Sequence, residues 1–155
     1  MKKPAKWTSP SVNLHETDRL NALLAVAVRE GVNVRFTPNL HERGAYVHNT
    51  RTIYINARMS ERHQYATLAH ELIHARLNHD GPQPESVEQR VNELAALMIV
   101  DVDEYRQAEA VCGGHAGSIA AELDLPVWVI QAWQTHVLNR GGVVDQSTKY
   151  MQLAS

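Results

Sequence analysis

His70-Glu71-Leu72-Ile73-His74 lies inside the run Glu61 to His79, which reads as a helix. A helix turns about 100° per residue, so residues four apart lie only about 40° from one axial line. His70 and His74 therefore present their imidazoles to one metal ion. Glu71 lies on the same polar side, near enough to hold a water on that ion. Two nitrogen ligands, a carboxylate base and room for an attacking water make the arrangement of a zinc hydrolase. Tyr65, Leu68, Ala69, Leu72 and Ile73 give the helix a broad apolar surface, and His63, Thr67, His70, Glu71, His74 and Asn78 occupy the opposite arc. An ordinary surface helix would fill that arc with Lys, Arg and Glu. The competing reading is coincidence on a solvated face, because the chain holds 9 histidines in 155 residues.

An open zinc site needs a third protein ligand and leaves the fourth position for water. The segment Glu85 to Met98 supplies candidates, with Val87, Val91, Leu94, Ala95 and Met98 as its apolar stripe. From the helical period, Glu88 lies about 80° from the centre of that stripe and Glu93 about 140°. Glu88 is thus at the buried margin and is the expected ligand, whereas Glu93 points to solvent. Asn92 stands one turn beyond Glu88, placed to hydrogen-bond the free nitrogen of a ligating histidine and fix its tautomer. His79 lies five residues past His74 with no glycine between them, which does not fit the longer three-histidine pattern. It reads as a helix-end residue, favourable at the negative end of the dipole.

Ala69-His70-Glu71-Leu72-Ile73-His74, followed by Glu88-Gln89-Arg90-Val91-Asn92-Glu93-Leu94-Ala95-Ala96, resembles the ImmA/IrrE family of metallopeptidases. That family shows an ALAHELGH-like helix and then an E-x-x-A-(D/N)-x-x-A-A helix. The strand Thr52 to Asn56 and the segment Ser118 to Val127 also look like family elements, so the similarity runs in order over roughly Asp18 to His136. Ile73 replaces the usual glycine, Val91 the usual alanine and Leu94 a common aromatic. Each is a packing change that leaves the donor residues intact. The resemblance implies a small zincin-like fold and a third ligand at Glu88. Family members are encoded by phages, integrative elements and bacterial chromosomes, and several relieve repression by acting on a repressor-type transcription factor. A repressor is therefore the implied partner.

The rest of the chain bounds the setting. A length of 155 residues suits one domain, and 44% apolar with 21% charged residues reads as soluble and globular. A net charge of −2 supplies no general field for nucleic acid. No apolar run reaches membrane-spanning length, and the basic start has no apolar stretch behind it, so neither a span nor a signal peptide is expected. The lone Cys112 suits a reducing cytoplasm.

Residues 1–13 read as a flexible arm, 14–140 as the folded domain and 141–155 as a flexible tail. Asp18 to Arg29 has helical spacing stopped by Gly31, Val32 to Phe36 alternates like a strand, and Gly44 to His48 with Arg51 to Ile55 reads as a hairpin. Two helices follow, joined by the loop Asp80 to Pro84, and the last third is helical with breaks at Gly113-Gly114 and Gly141-Gly142. The expected fold is α+β: a helix, a three-stranded sheet, then a helical bundle carrying HExxH and the downstream glutamate. An extended substrate pairing with a sheet edge would use Tyr46, Thr52, Ile53, Tyr54 and Ile55, unless the hairpin only covers the zinc helix.

The leading functional expectation is a zinc endopeptidase with Glu71 as general base. Tyr105, His115 and His136 are the candidate oxyanion donors. Two other readings compete with it. Ser118 to His136 has the outline of a helix-turn-helix, but its second helix, Val127 to Trp133, carries no Lys or Arg for phosphates. Alternatively, a zinc fold without catalysis would act as a regulatory or antirestriction protein by binding a partner.

Overall fold

A computed structural model describes residues 8–140, with side chains from Asp18 to Asn139; Met1 to Trp7 and the expected tail at 141–155 lie outside the described residues. The first helix, α1, spans Thr8–Arg29 and ends near Gly31, whose φ of 69° closes the turn. It begins ten residues before Asp18, within the stretch expected to be an arm. Pro10 permits this because the first N–H groups of a helix have no intrahelical acceptor.

Three strands follow: β1 (Asn33–Thr37), β2 (Gly44–Val47) and β3 (Thr52–Asn56). The expected hairpin is present, with β2 antiparallel to β3 and Tyr46 opposite Ile53. Arg51 accepts a φ of 46° at its turn. β1 lies parallel to β3 on the other side, giving the order β1-β3-β2. β3 is therefore the central strand, and its Ile53 and Ile55 are fully buried.

The helices are α2 (Glu61–Arg76), α3 (Glu85–Ile99), α4 (Val102–Cys112), α5 (Ala116–Leu123) and α6 (Val127–Arg140). Their ends follow local chemistry. Ser60 caps α2 by accepting from the His63 N–H, and Asp101 caps α4 by accepting from Asp103 and Glu104. Gly113, at φ 69°, ends α4 at the expected break.

α2 is the centre of the fold. α1, α3, β2 and β3 all pack on it. Leu68, Ala69 and Leu72 enter the core with Val91, Ala95 and Ala96 of α3 and Ile119, Val129 and Ile130 of α5 and α6. Because β2 and α3 close over its other side, Thr67, Glu71 and His74 are buried as well. The segment with the outline of a helix-turn-helix is α5, a left-handed Asp124 (φ 50°) and α6. Val129, Ile130, Ala132 and Trp133 of its second helix are core residues, so that helix is a wall of the domain. No helix among the described residues is long and apolar enough to cross a membrane.

Candidate metal centre

Two helices bring the donors together. His70 and His74 stand one turn apart on α2, and Glu88 stands in the first turn of the adjacent α3. The two Nε2 atoms are 3.0 Å apart. Glu88 Oε2 is 3.3 Å from His74 Nε2 and 3.5 Å from His70 Nε2. Zinc bonds of about 2.0–2.1 Å in a tetrahedron place ligand atoms about 3.3 Å apart along each edge. The three observed separations bracket that value, so this donor set fits a tetrahedrally held cation. His70, His74 and Glu88 form a group able to hold a metal ion. Glu93 takes no part. It is half-buried rather than turned to solvent, with its carboxylate 3.4 Å from Arg90 and 3.8 Å from His136.

Each histidine has a further partner. Asn92 lies beside His70 and favours its protonated form. His74 Nδ1 lies 2.8 Å from His79 Nδ1, a contact that a helix-end role for His79 does not anticipate. Burial lowers the His70 pKa from 6.5 to about 4, with a contribution from His74 and opposition from Glu88 and Asn92. His74 is also lowered, chiefly by burial. Neutral imidazoles are the form that ligates metal.

Glu71 lies beside the donors. Burial pushes its pKa from 4.5 to about 7, helped by the nearby Glu88 and opposed by a hydrogen bond from the Tyr46 backbone. That bond depends on close approach of β2 to α2. A Cβ at Gly44 would collide with Thr67 Cγ2 and would lie 3.0 Å from the Tyr54 carbonyl oxygen. Glycine is thus needed here for space.

The centre opens into a cavity of about 400 Å³ lined by Arg43, Gly44, Thr67, His70, Glu71, Glu88, Asn92 and Trp128. The Trp128 ring meets the His70 ring edge-on at 5.5 Å. Arg43 is set by its loop: its carbonyl accepts from the Asn56 N–H, and the Asn56 side chain donates to the Leu40 and Glu42 carbonyls.

Several expected site residues lie elsewhere. Thr52, Ile53, Tyr54 and Ile55 belong to the central strand, whose ladder is occupied on both sides, so they cannot receive an added strand. Tyr46 is on the edge strand β2. Tyr105 is buried between α4 and α6, where its hydroxyl accepts from Gln134. His115 caps α5 by accepting from the Ser118 N–H. His136 is buried beside Glu93. None of these three lines the cavity.

An HExxH helix beside a small mixed sheet, with a carboxylate on the next helix within reach of both histidines, defines a zincin-like metallopeptidase domain. The family model for M78 peptidases, the IrrE N-terminal-like domain, matches residues 27–130, which include every residue lining the cavity. The chain belongs to this family. No curated protein and no solved structure matches it.

Proposed function

We propose that this protein is a zinc-dependent endopeptidase. The observation that carries the reading is the convergence of three donor atoms at tetrahedral spacing beside a buried carboxyl whose pKa is about 7. His70, His74 and Glu88 would hold the ion. When bound, zinc supplies Lewis acidity, polarising the scissile carbonyl and acidifying water. Glu71 accepts the proton of the attacking water and returns it to the nitrogen of the leaving amine. Arg43 is the arginine lining the cavity and is the candidate donor to the developing oxyanion, the role Tyr105, His115 and His136 do not fill.

Cleavage within a chain requires space on both sides of the reacting bond. Trp128 borders the metal cavity and two neighbouring ones, of about 320 and 770 Å³. This supports an extended peptide lying across the centre. The substrate we favour is a cytoplasmic repressor-type regulator of a phage or mobile element, a choice that rests on the family resemblance. The test mixes the zinc-loaded protein with regulators encoded beside it and follows fragments by mass spectrometry, with and without chelator. Glu71→Gln should keep its zinc and form no product, since loss of a general base costs about 10²- to 10⁴-fold. Cleavage by Glu71→Gln at the wild-type rate refutes the mechanism. Tight binding without cleavage by the wild type favours a non-catalytic partner-binding role.

A further inference from the structure

We propose that His79 is a positioning residue for the metal centre: it holds His74 in the tautomer that directs Nε2 to the ion. The inference rests on the metal reading above. His74 uses its two ring nitrogens in different directions. Nε2 faces His70 at 3.0 Å and Glu88 at 3.3 Å, while Nδ1 faces His79 Nδ1 at 2.8 Å. To offer an Nε2 lone pair, neutral His74 must carry its proton on Nδ1. That N–H then donates to an unprotonated His79 Nδ1, which fixes His79 as the Nε2–H tautomer. The acceptor is an imidazole, in the place usually taken by a carboxylate or a backbone carbonyl.

The placement of His79 is built into the end of α2. The His79 N–H donates to the His74 carbonyl at 3.0 Å and the Asn78 N–H to the Ala75 carbonyl at 3.1 Å. Asn78 has a φ of 54°. These are the two bonds and the left-handed residue of a Schellman ending, which folds the chain back over the last helical turn. The His79 ring thereby meets the His74 ring, with centroids 5.1 Å apart. The ending is braced from the hairpin turn, where Arg51 donates to the Asn78 side chain at 3.4 Å and to the Glu30 carbonyl at 3.1 Å. The five-residue spacing from His74 is what this ending requires, because its longer bond runs from C″ to C3.

The test measures zinc affinity by competition with a chromophoric chelator for wild type, His79→Ala, His79→Leu and His79→Gln. Ala and Leu remove the acceptor and should weaken binding about 10- to 100-fold. Gln offers a carbonyl oxygen and should recover most of the loss. Imidazole nitrogen spectra of the zinc-loaded wild type should show a His74 Nδ1 proton coupled to His79 Nδ1, a signature independent of how any variant folds. Equal zinc affinity in wild type, Ala and Leu would overturn the inference while leaving the metal reading intact. A His79 nitrogen bound directly to zinc would also overturn it. Failure of the wild type itself to bind zinc would overturn the metal reading, and this inference with it.

Discussion

Removing the negative charge of Glu71 should stabilise the metal-free protein, and only above the pH where that carboxyl ionises. The residue is 9% exposed, and its pKa rises from 4.5 to about 7 on folding, mainly through burial. Between those values the folded state holds a proton that the unfolded state has lost, so stability falls as pH rises. The penalty is absent below 4.5 and complete above about 7. At 1.36 kcal/mol per pH unit, the full penalty is about 3 kcal/mol. Glu71→Gln removes the ionisation and keeps an oxygen to accept from Tyr46. Urea unfolding in chelator, followed by circular dichroism, should show the variant more stable at pH 8 by about 1–3 kcal/mol. For a chain of this size that is a rise in Tm of several degrees, at about 2–4 °C per kcal/mol. At pH 4.5 the difference should vanish. Equal stability at pH 8, or a gain of the same size at pH 4.5, refutes the reasoning. Saturating zinc should shrink the gain, since a nearby cation favours the carboxylate.

The remaining expectations are as direct. Glu88→Ala should lose zinc by metal analysis while Glu93→Ala keeps it; the reverse pattern would remove Glu88 from the site. Gly44→Ala should destabilise by about 1–3 kcal/mol through overpacking against Thr67. Thr67→Ser, which deletes the colliding methyl, should restore part of that loss in a double-mutant cycle by thermal melt. Glu104 accepts from Arg62 at 2.7 Å and from Arg19 at 3.1 Å, joining α4 to α2 and α1. Burial raises its pKa, but the two arginines outweigh burial and bring it below 4.5. Its contribution is therefore present above 4.5 and lost as pH falls through the lower folded value. Glu104→Gln should lower stability at pH 7 by about 1 kcal/mol, a figure discounted for solvent screening, and flatten the acid limb of the stability curve.

Residues were legible where one periodicity decided their direction. His70 and His74 share an α2 face because of the turn angle, and Glu88 faces them because the α3 stripe fixes its rotation. Where packing between elements decides, the sequence was silent. The parallel pairing of β1 with β3 puts β3 in the centre, and nothing in the alternation of Thr52 to Ile55 tells a central strand from an edge. Trp128 comes from α6, 58 positions after His70, and reaches the centre only through the packing of α6 on α3. His79 is an intermediate case. Leu77-Asn78-His79 carries a signal, since asparagine tolerates the left-handed position of a Schellman ending. A search for three-histidine spacing passes over it.

The position of α2 ties these observations to chemistry. A glutamate carboxylate in water has a pKa near 4.5 and little proton affinity at neutral pH. Raising it requires burial, and burial requires something to cover the polar face of a helix. Here the cover is the backbone of β2, brought against Thr67 and Glu71 by the missing side chain at Gly44. A bulkier residue would hold the strand away and let water reach the carboxyl. The same contact supplies the Tyr46 N–H that orients Glu71, at some loss of the pKa rise. Cover and cavity thus meet at one residue: the covered side desolvates Glu71, and the other side opens into the cavity. A strand set further from α2 would let water reach the carboxyl, so Gly44→Ala should lower the Glu71 pKa of the metal-free protein, followed by carboxyl-carbon NMR, as well as the Tm. A lower Tm with an unchanged Glu71 pKa would separate the two effects and show that β2 is only a structural cover.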